Sequence, residues 1–248
     1  MPTNQIPYKN LKTIFLDAGN TLVSMDFAWL LSKLKRCGVL CEAQELRRAE
    51  AAARPMVSAE LHRLKSTENQ QTSIFYIRSI LKVLVVTSSM ADKEHDAIIE
   101  DLFKILQAPG QTQRLWSYIP PGVIEALEIL KRIGFQLVVV SNSNGTVEDI
   151  LRRLNLRQYF DDVVDSHLAG FEKPDPRLFF HALEISDAKP ESTLHIGDLY
   201  HVDVIGARSA GIHGVLLDPF GDWQDVDCPR FTDLFEFAND LWKGDILK

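Results

Sequence analysis

The chain has 248 residues, of which 46% are hydrophobic and 25% are charged, a composition typical of a folded protein with a sizeable core. Its formal net charge of -7, with no run of basic residues, argues against nucleic acid as a partner, because phosphate backbones are bound by clustered Lys and Arg. No apolar run is long enough to span a bilayer, so we expect no membrane partner.

The N-terminus and the cysteines indicate the compartment. The first ten residues lack the basic and then apolar pattern of a secretory signal. The cysteines, Cys37, Cys41 and Cys228, are odd in number and lack the paired spacing of a disulfide framework or a zinc site. We therefore expect a cytoplasmic protein, and either a monomer or a homodimer is compatible with its sequence.

The first predicted element is a short buried strand, Thr13–Leu16, which ends at Asp17. Between Asp26 and Trp116 the apolar residues recur at i, i+3, i+4 and i+7, which predicts helices and no strand. We interpret residues 26–116 as a helical cap inserted after the first strand. Because ligands bind at the carboxyl ends of strands in open α/β sheets, we expect this insertion to cover the binding site.

Strands and helices alternate in the rest of the chain. Apolar runs rich in β-branched residues follow helical patterns and predict four more strands, Phe135–Ser141, Phe160–Ser166, Thr193–Asp198 and His213–Asp218. Such alternation is typical of βαβ units and a parallel sheet. We therefore predict an α/β fold: a Rossmann-like parallel-sheet core with helices on both faces, made of residues 1–25 and 117–248, and an all-helical cap.

Polar side chains stand at or near several predicted strand ends. They are Asp17, Ser141 with Asn142, and Asp198, while Lys173 follows the third strand and Asp203 begins the helix after the fourth. Each one alone has an ordinary explanation as a turn residue, a helix cap or a solvated charge. A parallel sheet brings these strand ends to one edge, where close carboxylates need a cation, and an all-oxygen cluster suits Mg²⁺.

Four segments resemble, in order and spacing, the motifs of the haloacid dehalogenase superfamily, in its subgroup with a helical cap after the first motif. They are "IFLDAGNTL", "VVVSNSNG", "GFEKPDPRLF" and "HIGDLYHVDVIGARSAG". The resemblance covers nearly the whole core, whereas the cap is similar only in size and helicity. It implies a hydrolase, most often a phosphatase, that acts on a small phosphorylated molecule.

The resemblance implies a role for each matching residue. Asp17 resembles the nucleophile, which forms an aspartyl-phosphate in the phosphatases, and Thr21 resembles the residue that steadies the nucleophile loop. Ser141 and Asn142 would hydrogen-bond the phosphoryl oxygens. Lys173 would neutralise both Asp17 and the phosphoryl group.

The resemblance also implies a Mg²⁺ site. A carboxylate oxygen of Asp17, the backbone carbonyl of Gly19 and the side chain of Asp198 would hold the ion. Asp203 would assist, either as a direct ligand or through a water molecule.

The chain departs from the family pattern at Gly19. Most phosphatases of the family carry an aspartate there, which protonates the leaving group, and general acid catalysis typically contributes 10²–10⁴-fold. A phosphatase without this acid would favour aryl or acyl phosphates, whose leaving groups need little protonation.

Three other interpretations stay open: a phosphonate hydrolase, a 2-haloacid dehalogenase, and a catalytically weak binding module. The dehalogenases usually carry Ser and Asn where this chain has Asp198 and Tyr200, so the fourth motif favours a phosphoryl substrate. A decayed site would have lost some of the other motif residues, which are all retained. His195, inside a predicted strand, is interpreted as a core residue.

Overall fold

The computed structural model describes residues 6, 8–64, 66, 68–87, 89–106, 108 and 111–246. Six positions of the predicted helical insertion, 65, 67, 88, 107, 109 and 110, lie outside the described residues, as do most of the first seven residues. The chain divides into two compact units. We call them the core unit, Met1–Val23 with Ile119–Lys248, and the helical unit, Ser24–Tyr118.

The described strands form two sheets. They are β1 (Thr13–Leu16), β2 (Ser24–Met25), β3 (Trp116–Tyr118), β4 (Gln136–Ser141), β5 (Asp162–Asp165), β6 (Thr193–Gly197), β7 (His213–Leu217) and β8 (Arg230–Phe231). The core unit contains a parallel sheet of six strands in the order β5-β4-β1-β6-β7-β8, with β1 in the interior. In the helical unit β2 pairs antiparallel with β3.

The helices occupy most of the remaining described residues. They are α1 (Phe27–Leu34), α2 (Ala43–Leu64), α3 (Gln70–Val83), α4 (Asp92–Leu106), α5 (Gln111–Leu115), α6 (Val123–Ile133), α7 (Val147–Arg153), α8 (Ser166–Ala169), α9 (Pro176–Ile185), α10 (Gly206–Ser209) and α11 (Leu234–Ile246). A π-helical segment, Tyr200–Ile205, precedes α10. Within the described part of the chain, every helix is too short or too polar to cross a membrane.

The core of the first unit lies on both faces of the parallel sheet. All four residues of β1 are buried although alternate side chains point to opposite faces, so both faces are covered. On one face Phe15 and Val138 pack against Leu178 and Phe179 of α9. Helices α6 and α11 also pack against each other in this unit. The predicted α/β fold with a Rossmann-like parallel sheet is therefore confirmed.

The helical unit has its own hydrophobic core, built from α1 to α5. Its helices begin where short polar side chains satisfy free backbone N–H groups: Asp26 accepts from the Trp29 N–H at 2.9 Å, and Asn69 accepts from the Thr72 N–H at 2.8 Å. Ser24 of β2 pairs with Tyr118 of β3, and these are the first and last residues of the helical unit.

The unit boundaries lie within two residues of the predicted domain boundaries at residues 25/26 and 116/117. They differ because β2 and β3 pair with each other and thus stay with the helices. The assignment of residues 26–116 as a substrate cap remains a prediction.

Candidate active site

The register of the parallel sheet brings the predicted strand ends together. Leu16, the last residue of β1, is level with Val139 of β4 and Ile196 of β6. Asp17 comes next, and its N–H donates to the Ile196 carbonyl oxygen at 2.9 Å. Asp17 therefore lies between the end of β4, which is Ser141, and the residue after β6, which is Asp198.

Lys173 connects two carboxylates at this edge. Its Nζ donates to Oδ1 of Asp17 at 2.8 Å and to Oδ1 of Asp203 at 2.7 Å, and its side chain is only 1% exposed. Desolvation would lower the pKa of Lys173, but the attraction of the two carboxylates outweighs it and raises the pKa. The ammonium ion is thus kept charged inside the protein.

Asp17 is the most accessible member of this trio, with 12% of its side chain exposed, against 1% for Lys173 and Asp203. Burial raises the pKa of Asp17 even though Lys173 opposes the shift. Lys173 holds Oδ1, and no described residue donates a hydrogen bond to Oδ2. One carboxylate oxygen is therefore anchored while the other is available for chemistry.

The carboxylate of Asp203 is fully engaged within the protein. Oδ1 accepts from Lys173 and lies 3.0 Å from Nε2 of His195, and Oδ2 accepts from the Leu199 N–H at 2.9 Å. Burial would raise the pKa of Asp203, but Lys173 and His195 outweigh it and lower the pKa. Asp203 therefore stays ionised and is fixed in one orientation.

His195 is a site residue that the sequence does not reveal. Burial lowers the pKa of this imidazole, which keeps it neutral, and the ionised Asp203 cannot donate, so we assign the ring proton to Nε2. Nδ1 is buried without a hydrogen-bond partner among the described residues. The predicted core position in a strand is correct, but His195 also orients a carboxylate of the site.

Gly197 makes room for Asp203. A Cβ at Gly197, the last residue of β6, would lie 2.1 Å from Cγ of Asp203, far closer than any real contact. The backbone of the π-helical segment contributes as well, because the Asp203 N–H donates to the Leu199 carbonyl oxygen at 2.7 Å. A glycine at this strand end therefore permits the carboxylate to lie directly against the sheet.

The loop after Asp17 is closed by its own backbone. The N–H groups of Leu22 and Val23 donate to the Ala18 carbonyl oxygen at 3.0 and 2.9 Å, and the Asn20 N–H donates to the Val23 carbonyl oxygen at 2.7 Å. Asn20 takes a positive φ of 52°, which asparagine tolerates better than most residues. Its Nδ2 donates to Oδ2 of Asp198 at 3.0 Å, which links the loop to the neighbouring strand end.

Two predicted residues of this loop have less evident roles. Gly19 does not share the positive φ of its neighbour Asn20, so its backbone conformation is open to other residues. The hydroxyl of Thr21 is buried and has no hydrogen-bond partner among the described residues, so no hydrogen bond explains how it would steady the loop.

Three carboxylates at this edge could hold a metal ion. Oxygen atoms of Asp17, Asp198 and Asp203 lie within 4.8 Å of one another, and all three residues are buried. With Lys173 protonated and His195 neutral, the cluster carries two formal negative charges that a divalent cation would neutralise. A donor set of oxygen atoms alone fits Mg²⁺.

The two predicted phosphoryl-binding residues are the last residue of β4, Ser141, and the residue directly after it, Asn142. The hydroxyl of Ser141 donates to the carbonyl oxygen of Asn142 at 3.2 Å. The side chain of Asn142 instead contacts the backbone of Lys173, to which Nδ2 donates at 2.9 Å and from which Oδ1 accepts at 2.7 Å. The structure thus brings motifs two and three together through Asn142.

The end of β5 supports the same loop. Oδ1 of Asp165 accepts from the N–H of Gly145 at 3.2 Å, and Oγ of Ser166 accepts from the N–H of Ser143 at 3.0 Å. Sequence reasoning did not single out either supporting residue. A signal was present, since Asp165 stands at the end of a predicted strand, as Asp17 and Asp198 do.

Comparisons with known proteins agree with this arrangement. The chain is 40% identical over 120 residues to haloacid dehalogenase-like hydrolase domain-containing protein 3 of Bos taurus, and the alignment covers 48% of this chain and 46% of that protein. It is 36% identical over 99 residues to a glyceraldehyde 3-phosphate phosphatase of Methanothermobacter thermautotrophicus, covering 40% of this chain and 44% of the relative. The matches thus span about half the length of these curated relatives.

The fold also matches a solved structure, the HAD-hydrolase YfnB from Bacillus subtilis bound to magnesium. The TM-score is 0.64 at 19% identity, with 94% of this chain and 99% of the other covered, so this likeness concerns the fold. The model of the haloacid dehalogenase-like hydrolase family matches residues 11–211, a segment that contains every site residue from Asp17 to Asp203. Because the matched segment covers most of the 248 residues of this chain, the chain belongs to the haloacid dehalogenase-like hydrolases.

Proposed function

We propose that this chain is a Mg²⁺-dependent hydrolase of a small phosphorylated molecule and that it transfers the phosphoryl group to Asp17. The observation that carries the proposal is the buried ammonium of Lys173, bound to Asp17 and Asp203 at the carboxyl end of an interior strand. The relative named glyceraldehyde 3-phosphate phosphatase supports a small phosphorylated metabolite as the substrate class.

The main obstacle to this reaction is electrostatic, because an anionic carboxylate must approach an anionic phosphoryl group. Lys173 reduces the repulsion, and its charge acts strongly because the site is buried. Ser141, at the end of the neighbouring strand, is proposed to donate its hydroxyl to a phosphoryl oxygen. Thr21 is proposed to fill space under the nucleophile loop, where its side chain is buried.

The proposed reaction has two displacements at phosphorus. First, Oδ2 of Asp17 forms a bond to phosphorus while the bond to the leaving oxygen breaks, which gives an aspartyl-phosphate. Water then attacks the same phosphorus, the bond to Oδ2 breaks, and phosphate leaves. In this second step the attacking water passes one proton to solvent. The leaving oxygen of the first step departs as an anion or takes a proton from solvent.

The residues proposed to hold Mg²⁺ are the carboxylates of Asp17 and Asp198 and the carbonyl oxygen of Gly19. Both carboxylate oxygens of Asp203 already accept hydrogen bonds from the protein, which supports a contact through water for this residue. A bound Mg²⁺ would supply charge neutralisation between the nucleophile and the phosphoryl oxygens.

The lack of a side chain at Gly19 limits which phosphate esters are hydrolysed efficiently. It offers no side chain to protonate the leaving oxygen, and general acids typically contribute 10²–10⁴-fold to such steps. We therefore propose that aryl and acyl phosphates, whose leaving groups are weak bases, are hydrolysed faster than alkyl phosphates.

The test is phosphate release from p-nitrophenyl phosphate and glyceraldehyde 3-phosphate by the wild type and by Asp17→Asn, with Mg²⁺ or with EDTA. We expect release only by the wild type with Mg²⁺. Equal release by Asp17→Asn would overturn the proposal. Chloride release from 2-chloropropionate, or borohydride trapping of a carbonyl phosphonate, would instead assign the dehalogenase or the phosphonate hydrolase.

A further inference from the structure

The side-chain amide of Asn142 holds the backbone of a distant residue. Its Nδ2 donates to the carbonyl oxygen of Lys173 at 2.9 Å, and its Oδ1 accepts from the N–H of Lys173 at 2.7 Å. An amide that pairs with both peptide groups of one residue fixes the position and orientation of that residue. The resemblance implies a phosphoryl contact for Asn142, and these hydrogen bonds give its side chain a different task.

Asn142 is itself well anchored. It directly follows β4, and β4 pairs with β1, which leads into Asp17. The next residue, Ser143, donates its N–H to Oγ of Ser166 at 3.0 Å. The amide therefore connects Lys173 to the same rigid sheet edge that carries the nucleophile.

Lys173 needs such an anchor because of its position and its length. It lies on the loop between α8 and α9, and its flexible four-carbon stem must place one ammonium within 2.8 Å of Asp17 and 2.7 Å of Asp203. A shift of its backbone would carry the ammonium out of hydrogen-bond range of one of the carboxylates.

We infer that Asn142 is a positioning residue that keeps the ammonium of Lys173 between Asp17 and Asp203. The catalytic consequence of this role rests on the proposed function, whereas the placement of Lys173 does not. Two experiments separate these parts.

The placement is tested without any substrate. Wild type and Asn142→Ala are acetylated with an N-hydroxysuccinimide ester, and the rate at each lysine is measured by peptide mass spectrometry. Lys173 is buried, and we expect its rate to rise at least about threefold in Asn142→Ala, because the loop opens locally, while exposed Lys104 is unchanged. An unchanged rate at Lys173 would overturn the inference.

The matched control is Asn144→Ala. Asn144 lies in the same loop, and its Oδ1 accepts from the Thr146 hydroxyl at 2.7 Å. The hydrogen bonds of Lys173 go to Asn142, Asp17 and Asp203 instead. We expect wild-type acetylation of Lys173 in this variant. Faster acetylation in both variants would indicate general loosening of the loop and would also overturn the inference.

The catalytic consequence is tested by a double-mutant cycle on p-nitrophenyl phosphate. If Asn142 acts through Lys173, Asn142→Ala lowers kcat/KM by about tenfold in the wild type and by less than about twofold in Lys173→Met. Equal factors in both backgrounds would indicate an independent substrate contact and overturn the inference. If the wild type releases no phosphate, the proposed function is overturned, but the positioning role of Asn142 is not. The acetylation experiment tests that role without any substrate and without the Lys173→Met variant.

Discussion

The carboxyl group of Asp17 lies where burial disfavours its charge. Burial raises its pKa, so the folded protein binds a proton at Asp17 more tightly than the unfolded chain does. Its contribution to stability therefore falls as pH rises from the unfolded pKa through the folded pKa. At pH values above the unfolded pKa, Asp17 therefore destabilises the fold when no metal ion is bound.

Asp17→Asn is therefore expected to separate activity from stability. The neutral isostere cannot attack phosphorus, so kcat should fall on the order of 10³-fold or more. In EDTA at pH 7 its Tm should equal or exceed that of the wild type, because the variant lacks the buried charge. Steady-state kinetics measures the loss of kcat, and thermal unfolding followed by circular dichroism measures Tm. A large loss of Tm in Asp17→Asn would contradict the raised pKa of Asp17.

Gly19 offers a second change at a single side chain. Gly19 is not among the described residues with a positive φ, so its backbone does not by itself exclude an aspartate. We expect Gly19→Asp to raise turnover of glyceraldehyde 3-phosphate by about tenfold, because the new carboxyl group can protonate the leaving oxygen, with little effect on p-nitrophenyl phosphate. Gly19→Asn is the control without an acid, and an equal gain in that variant would refute the explanation.

Individual side chains show what a sequence can reveal about a site. Strand ends and spacing predicted that Asp17, Lys173 and Asp203 converge, and the structure joins these three by hydrogen bonds. The contacts of His195 and Asn142 were not foreseen, because they depend on side-chain directions and on loop paths. A histidine in a strand and an asparagine in a loop have many ordinary roles, and their partners become evident only in the folded structure.

The turn from β6 into the π-helical segment depends on one small residue. Gly197→Ala would place its Cβ 2.1 Å from Cγ of Asp203, so Asp203 must move away from Lys173 and His195. We expect a loss of about 1–3 kcal/mol of stability, typical of overpacking, together with a loss of phosphatase turnover. Urea unfolding and kinetics provide the two readouts.

Gly244→Ala is the matched control for this change. A Cβ at Gly244, in α11, would lie 3.8 Å from Cδ2 of Tyr8, an ordinary contact. Because alanine favours a helix interior, we expect an unchanged or slightly higher stability, by up to about 1 kcal/mol. A larger loss in this variant than in Gly197→Ala would show that crowding of Asp203 is not the cause.

The longest described helix, α2, contains a buried ion pair. Arg54 donates to Glu50 from Nε at 2.9 Å and from Nη2 at 2.7 Å, and the Tyr76 hydroxyl also donates to Glu50 from α3. Arg54→Ala would leave the fully buried Glu50 without this cation, and removal of one partner of a buried pair costs roughly 3–5 kcal/mol.

Urea unfolding of Arg54→Ala checks this expected loss. The control is Lys104→Ala, which removes an exposed partner of Glu100 in α4 and should leave stability unchanged. Equal stability of both variants would contradict a structural role for the buried pair.

Regular elements were predictable where their patterns are long. Runs of β-branched residues located β1 and β4 to β7, and apolar spacing located the helices of residues 26–116. The strands β2, β3 and β8 have only two or three residues, too few to show an alternating pattern, and their pairing depends on parts of the chain that meet only after folding.

The protein as a whole carries a formal charge of -7, and part of this negative charge is concentrated at one buried site. A cation that binds only the folded protein stabilises it, by about 2.7 kcal/mol at a concentration of 100 Kd. We therefore expect Mg²⁺ to raise the Tm of the wild type by roughly 5 °C or more relative to EDTA.

Differential scanning fluorimetry measures this shift. Asp198→Asn should show a much smaller increase, because it loses one of the three carboxylates of the cluster. An equal increase in both proteins would indicate that Mg²⁺ acts elsewhere on the chain.

The pairing of β2 with β3 bears on how such a protein can diversify. The chain leaves the core unit after Val23 and returns to it at Ile119. Ser24 pairs directly with Tyr118, so the first and last residues of the helical unit are neighbours in space. A segment with adjoining ends can be exchanged for another of any length while the parallel sheet keeps its own connections. Replacement of this segment would leave the strand order β5-β4-β1-β6-β7-β8 and the hydrogen bonds of Lys173 to Asp17 and Asp203 in place, since all of these belong to the core unit.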